Sequence, residues 1–222
     1  MLHQTIRFIL GDIKFDTHVC SRTDARVSVR SNYCLLIIDH DIEPSSFKEE
    51  MNTNLPGDIR ILEIKKVEDN FNIRSTVHKT YNYLLSNQAI DPYFASIIHS
   101  EPKLNMDVIK TGIKLFEGEH NFIAYSSHRE QNKQSICTIK HAAVLDGTRL
   151  PINFDGPLYT LSFTGDKFLY NQIRLMVARL IQLGLGEISE EDIKVDLSSE
   201  NPPLLRKIAP ASGLHLMDVK FA

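Results

Sequence analysis

Helix-period and strand-period apolar patterns follow one another without strict alternation along this 222-residue chain, and that irregular order narrows its folds more than any other feature. Regular strand–helix alternation would call for a parallel sheet. Its absence points to an α+β design, with helices covering one face of a largely antiparallel sheet and the other face free for a ligand. The run Tyr33–Ile38 is too short and too β-branched for a helix and reads as a buried strand. Lys79–Leu85 alternates with period two, which places Lys79, Tyr81 and Tyr83 on one face. Ile136–Leu145, Tyr159–Phe163 and Leu214–Phe221 are further strands, the last with Met217, Val219 and Phe221 sharing a face. Strand character also resumes at Ile59, Ile61 and Leu62–Val67.

The helices carry a different spacing. Met1–Leu10 has Leu2, Ile6, Ile9 and Leu10 on one side and Gly11 as its stop. Pro44-Ser45-Ser46 ahead of Phe47-Lys48-Glu49-Glu50 resembles a helix start. Met106–Phe116 shows the spacing of a helix packed on a sheet. Phe168–Leu183 has a core stripe of Ile173, Met176, Val177, Leu180 and Ile181, with Arg174 and Arg179 outside it. A shorter helix is expected around Glu190–Ile193. The charged turn Glu68-Asp69-Asn70 closes a first half, so the expected organisation is two α/β subdomains, residues 1–75 and 76–222.

Composition excludes several classes. Hydrophobic residues at 42% and charged residues at 24% are ordinary globular values, and a net charge of -3 argues against a broadly basic nucleic-acid coat. Any RNA contact must come from local clustering, and Arg7, Lys14, Arg22, Arg26 and Arg30 are the candidates for a basic patch. Cys20, Cys34 and Cys137 have no paired spacing, so a reducing compartment is expected, cytoplasmic or mitochondrial. No apolar run approaches the roughly 20 residues that span a bilayer, so no membrane partner is expected. His120, His128 and His141 lack zinc-ligand spacing, and no metal site is expected.

The stretch with chemical potential is Arg22-Thr23-Asp24, placed where a loop enters a sheet. A carboxylate beside an arginine at the end of a rigid element suits covalent catalysis, although aspartate is also a common turn former.

Further along the chain come Asn52–Ile59, Lys79-Thr80-Tyr81-Asn82-Tyr83, Phe116–Phe122, Phe168–Arg174 and Ala209–Leu214. Together with Arg22-Thr23-Asp24-Ala25 these make six motifs, and in content and order they resemble the TruA family of tRNA pseudouridine synthases. It implies the pseudouridine synthase fold: two halves joined in one continuous sheet with a central RNA-binding cleft. It also implies a first strand and basic loop ahead of the opening helix, for which this sequence has no counterpart. The reaction would detach uracil from its sugar, turn it and rejoin it through C5, needing no cofactor.

Under this resemblance Asp24 matches the catalytic aspartate, Tyr81 the active-site tyrosine and Arg174 an arginine able to pair with the carboxylate. By their residues alone, Tyr81 is also compatible with strand packing and Arg174 with an exposed helix face. Arg22, Arg26, Lys79 and His120 are the expected substrate-binding residues. The implied partners are tRNA and, by family habit, a second copy in a homodimer. Arg26 stands where the family pattern has glycine, the mark of a positive φ or of close backbone approach. Asn121 replaces a usual aspartate, Ser28 a histidine of bacterial members and Cys137 a common arginine. A catalytically impaired RNA-binding protein with the same fold is the alternative reading.

Overall fold

The computed structural model describes residues 1–127, 135–147, 150, 154–199 and 202–221. In chain order the elements are α1 (Leu2–Leu10), β1 (Phe15–Val19), β2 (Ser28–Val29), β3 (Cys34–Ile38), α2 (Pro44–Asn54), β4 (Thr76–Ser86), β5 (His99–Ser100), α3 (Met106–Gly112), β6 (Gly118–Asn121), β7 (Ile136–Leu145), β8 (Tyr159–Gly165), α4 (Gln172–Gly184), α5 (Glu190–Ser198) and β9 (Leu214–Phe221). The mixture is α+β and the larger sheet is mostly antiparallel, as expected from the irregular order of the patterns. The chain divides into two compact units: residues 1–22 with 33–75, and residues 23–32 with 76–222.

In the first unit, Ile6 of α1 meets Phe47, Met51 and Leu55 of α2 and its exit, and Phe15 and Leu36 pack on the same cluster. Gly11, at φ 62, ends α1 and its N–H returns to the Arg7 carbonyl. The Arg7 guanidinium closes that turn by donating to the carbonyls of Gly11 and Ile13 and lies 4.5 Å from the Phe15 ring centre. Arg7 is thus engaged within its own unit. Glu43 caps α2, accepting from the Ser46 N–H at 2.7 Å, with Pro44 in the first turn. The fully exposed Glu43 carboxylate is held below its usual range, chiefly by that backbone hydrogen bond.

Two expectations fail here. The expected strand forms at Cys34–Ile38, but among the described residues it pairs with β1 alone, Phe15 opposite Ile38 and Val19 opposite Cys34, and it is half exposed rather than buried. The stretch from Ile59 to Val67 forms no strand. The Asn52 side chain there does the work of a neighbouring strand, its amide donating to the Ile61 carbonyl at 3.0 Å and its oxygen accepting the Ile61 N–H at 2.7 Å.

The second unit holds the seven-stranded sheet, in the order β2-β9-β4-β8-β7-β6 with β5 beside β4. The one continuous sheet implied by the resemblance is therefore divided in two, β1 and β3 forming a separate sheet. The segment 23–32, expected with the first half, belongs to the second unit, because β2 runs parallel to β9 with Ser28 opposite His215 and Val29 opposite Leu216. The Arg30 N–H adds a bond to the Leu216 carbonyl. On the other side of β9 a bulge at Met217 breaks the register, since Thr80 faces Asp218 but Tyr81 faces Leu216. The fully buried members of β9 are consequently Leu216 and Val219, and not a simple alternation through Met217.

The predicted helix over 106–116 is α-helical to Gly112 and tightens into a 3₁₀ turn at Ile113–Phe116. The helix expected from Phe168 begins only at Gln172. Asn171 is left-handed at φ 63, and Leu169 turns back to donate its N–H to the Gln172 side chain at 2.7 Å. Arg179, read as lying outside the core stripe, points to Asp196 of α5: Nε and Nη2 each reach its carboxylate at 2.8 Å, and the Tyr125 hydroxyl adds a third donor at 3.2 Å. Asp196 is almost fully buried, so this is an internal ion pair satisfied on several sides.

Candidate active site

The site grows from a turn. The Val27 N–H donates to the Asp24 carbonyl at 3.2 Å, closing the four residues Asp24-Ala25-Arg26-Val27, and Arg26 at the third position has φ 70. A positive φ at that place is the type II pattern, which ordinarily takes glycine. The glycine expected from the family pattern is therefore explained by backbone geometry, and Arg26 adopts the same conformation with its side chain exposed. The turn leaves the Asp24 side chain free to reach away from its own backbone.

That carboxylate meets Arg174 of α4. Nη1 donates to Oδ2 at 2.5 Å, with the aspartate side chain 26% and the arginine side chain 18% exposed. Partial burial strengthens the pair while leaving one side open to solvent. Arg174 is itself fixed from behind: Nε donates to the Ala209 carbonyl at 2.8 Å, and the Ala209 N–H returns to the Arg174 carbonyl at 3.1 Å. Nη1 also lies 3.4 Å from the side-chain oxygen of Asn171, whose amide donates to the Ser127 hydroxyl at 2.9 Å. The exposed-helix alternative for Arg174 does not hold. Three segments far apart in sequence meet at one guanidinium.

Tyr81 lies on β4, opposite Leu216 of β9 and Phe163 of β8. It is buried, and its ring stands edge-on to Phe168 at 5.3 Å, so it packs against the segment that leads into α4 and Arg174. Leu216, its partner, is also the partner of Val29, which places Tyr81 two strands from the one that leaves the Asp24 turn. Lys79 lies on the same side of β4, the alternation against β8 being unbroken from Lys79 to Leu85.

Arg22, two residues ahead of Asp24, is exposed and belongs to the first unit. His120 sits on β6, the edge strand opposite β2, three strands from β4 and roughly 14 Å from it at the usual strand spacing. Its Nε2 donates to the Glu117 carbonyl at 2.8 Å, and its ring stands edge-on to Phe122. The Glu117 carboxylate accepts the Ala142 N–H and pairs with Lys114, contacts that hold it below the usual carboxylate range. His128 falls outside the described residues. His120 and His141 form no group of potential metal ligands with other described residues.

Sequence reasoning gave no role to Asn171, Ala209 or Tyr83. Ala209 and Asn171 lie inside motifs that were recognised, but periodicity says nothing of a carbonyl aimed at a guanidinium. Together these contacts define a mixed α+β protein with a carboxylate loop at one sheet edge, held by an arginine from the helix behind it.

Residues 113–222 match a family model described as tRNA pseudouridine synthase. The chain is 34% identical to tRNA pseudouridine synthase A of Clostridium kluyveri over 204 residues, covering 90% of this chain and 80% of the relative. Identity to the enzyme of the same name from Limosilactobacillus reuteri is 30% over 90% of this chain and 77% of the relative, and to that of Clostridium acetobutylicum 29% over 99% and 89%. The chain belongs to the TruA family of tRNA pseudouridine synthases, which are isomerases. Among the described residues no helix is long and apolar enough to cross a membrane.

Proposed function

We propose that this protein isomerises uridine to pseudouridine in tRNA with Asp24 as the catalytic carboxylate. The observation that carries the reading is the Asp24–Arg174 pair, which joins the Asp24–Val27 turn, the start of α4 and Ala209 at one point. A paired, ionised aspartate is the form that can attack the sugar or assist cleavage of the glycosidic bond. Arg174 orients it. The resemblance assigns Tyr81 to the target base, which must leave its stack for the bond to be reached. Lys79 on the same face as Tyr81, Arg26 in the turn and Arg22 ahead of it in the chain supply positive charge for phosphates, while His120 would contact RNA farther along the sheet. The reaction redistributes bonds within one nucleotide, so atoms balance without a co-reactant.

The test replaces Asp24 by asparagine, which removes the charge and keeps the shape. Pseudouridine content is read by mass spectrometry, and tRNA binding by filter assay at fixed salt. Pseudouridine formation should disappear while affinity stays level or rises slightly, because phosphate contacts supply most of the binding. An Asp24→Asn protein as active as the wild type removes the carboxylate from the mechanism. A wild type that binds tRNA and modifies no transcript favours the impaired RNA binder.

A further inference from the structure

Tyr83 is the next outward step along the face of Lys79 and Tyr81, and it is fully buried. Its ring serves the core, but its hydroxyl has a directed partner: Oη donates to the Pro210 carbonyl at 3.0 Å. Burial pushes the phenol well above its ordinary pKa, so the group is a donor throughout the working pH range. Pro210 follows Ala209, the residue that exchanges two hydrogen bonds with Arg174. The contacts therefore run without a gap from Tyr83 through Pro210, Ala209 and Arg174 to Asp24.

A second observation bears on the same segment. A Cβ added to Gly213 would come within 2.7 Å of Tyr83 Cζ and 3.1 Å of the Leu84 carbonyl. The bend at the start of β9 lies directly against the tyrosine ring, and only a residue without a side chain fits there. Ala209–Gly213 is thus gripped at both ends, by a hydroxyl and by close ring contact. The consequence reaches Arg174 through the shape of its head group. A guanidinium is a rigid plane, so the direction of its Nε–H fixes where Nη1 points. A displaced Ala209 carbonyl would turn Nη1 away from Asp24.

We propose that Tyr83 is a positioning residue for the isomerisation, setting the direction of Arg174, and through it the Asp24 carboxylate, by holding the Ala209–Pro210 carbonyls. This inference rests on the function proposed above. Tyr83→Phe keeps the ring and deletes the hydroxyl. Because small displacements of catalytic groups cost up to about 100-fold, kcat should fall roughly tenfold. KM for tRNA should stay within about twofold, since no phosphate contact is touched.

A purely structural role would lower Tm and act independently of Arg174. The decisive comparison is a double-mutant cycle with Arg174→Lys, which lacks the Nε contact to Ala209. In that background Tyr83→Phe should lower kcat no further. Additive losses, or a Tyr83→Phe kcat equal to the wild type, overturn the proposal. A readout independent of turnover separates it from the function itself: exchange of the Arg174 Nε–H, followed by NMR, should quicken by roughly tenfold in Tyr83→Phe. Unchanged exchange overturns the positioning role whether or not the wild type makes pseudouridine, and a wild type without turnover overturns only the functional reading.

Discussion

Replacing Arg26 by glycine should stabilise the protein and weaken its hold on tRNA, two effects of opposite value from one substitution. Arg26 holds φ at 70 in the third position of the Asp24 turn. A left-handed conformation costs an L-residue roughly 1–2 kcal/mol. Glycine removes that strain but brings a more flexible unfolded chain, which offsets about 0.5–1 kcal/mol. The net gain is on the order of 0.5–1 kcal/mol, a rise in Tm of roughly 1–4 °C for a chain of this size. The side chain is exposed, so no core contact is lost with it. If the guanidinium meets one RNA phosphate, its removal should reduce the slope of log affinity against log salt by about 0.7–0.9. Thermal unfolding followed by circular dichroism gives the first quantity, and filter binding at several salt concentrations the second. A fall in Tm of more than a degree refutes the strained-turn account; an unchanged salt slope refutes the phosphate contact.

The internal pair of Arg179 and Asp196 should be sensitive to loss of one partner: Asp196→Ala leaves a guanidinium and the Tyr125 hydroxyl without their acceptor, and a loss of about 3–5 kcal/mol is expected in chemical denaturation. Gly184→Ala places a methyl 2.7 Å from Ile109 Cδ1 where α4 crosses α3, and should lower stability by roughly 1–3 kcal/mol without affecting tRNA affinity. Burial lowers the pKa of His99 and of His215, whose Nε2 lies 2.9 Å from the Ile97 carbonyl. Both are therefore neutral in the fold, and their contribution is present above the unfolded value near 6.5 and lost as pH falls through the lowered folded values. Stability should decline as pH falls below about 6.5, and His215→Gln should flatten that decline; an identical decline in the variant would exclude His215 as its source.

Most strands and helices were legible because their apolar periods are strong, as in β4, β7 and α4. What failed had physical causes. β1 escaped because Phe15–Val19 alternates too weakly, with Asp16 and His18 on its solvent side. Ile59–Val67 looked like a strand because Ile59, Ile61, Leu62, Ile64 and Val67 punctuate it with β-formers, but a side chain from α2 satisfies the Ile61 backbone. Arg179 read as merely outside the core stripe because its partner lies 17 residues away on another helix, beyond any helical period. At the site, the positive φ of Arg26 was legible through the glycine expected there. The junction of Asp24, Arg174 and Ala209 was legible only as three recognised motifs, since nothing local to any of them encodes the meeting. β2 shows the same limit: two residues paired in parallel with the last strand carry almost no signal of their own.

Asp24 and Arg174 are separated by 150 residues, and β2 waits on β9 for its strand pairing. During synthesis the turn that bears Asp24 emerges early, with nothing yet made to hold it. At about 5–20 residues per second, roughly 8–30 seconds pass before Arg174 is even polymerised. Ala209 and the final strand come later still. Nascent chains therefore expose an unanchored Asp24 loop while the first unit, whose internal contacts are all within reach by residue 75, is free to fold. The ribosome releases the carboxylate long before it releases the means to aim it, so a prematurely terminated chain should be catalytically silent by construction.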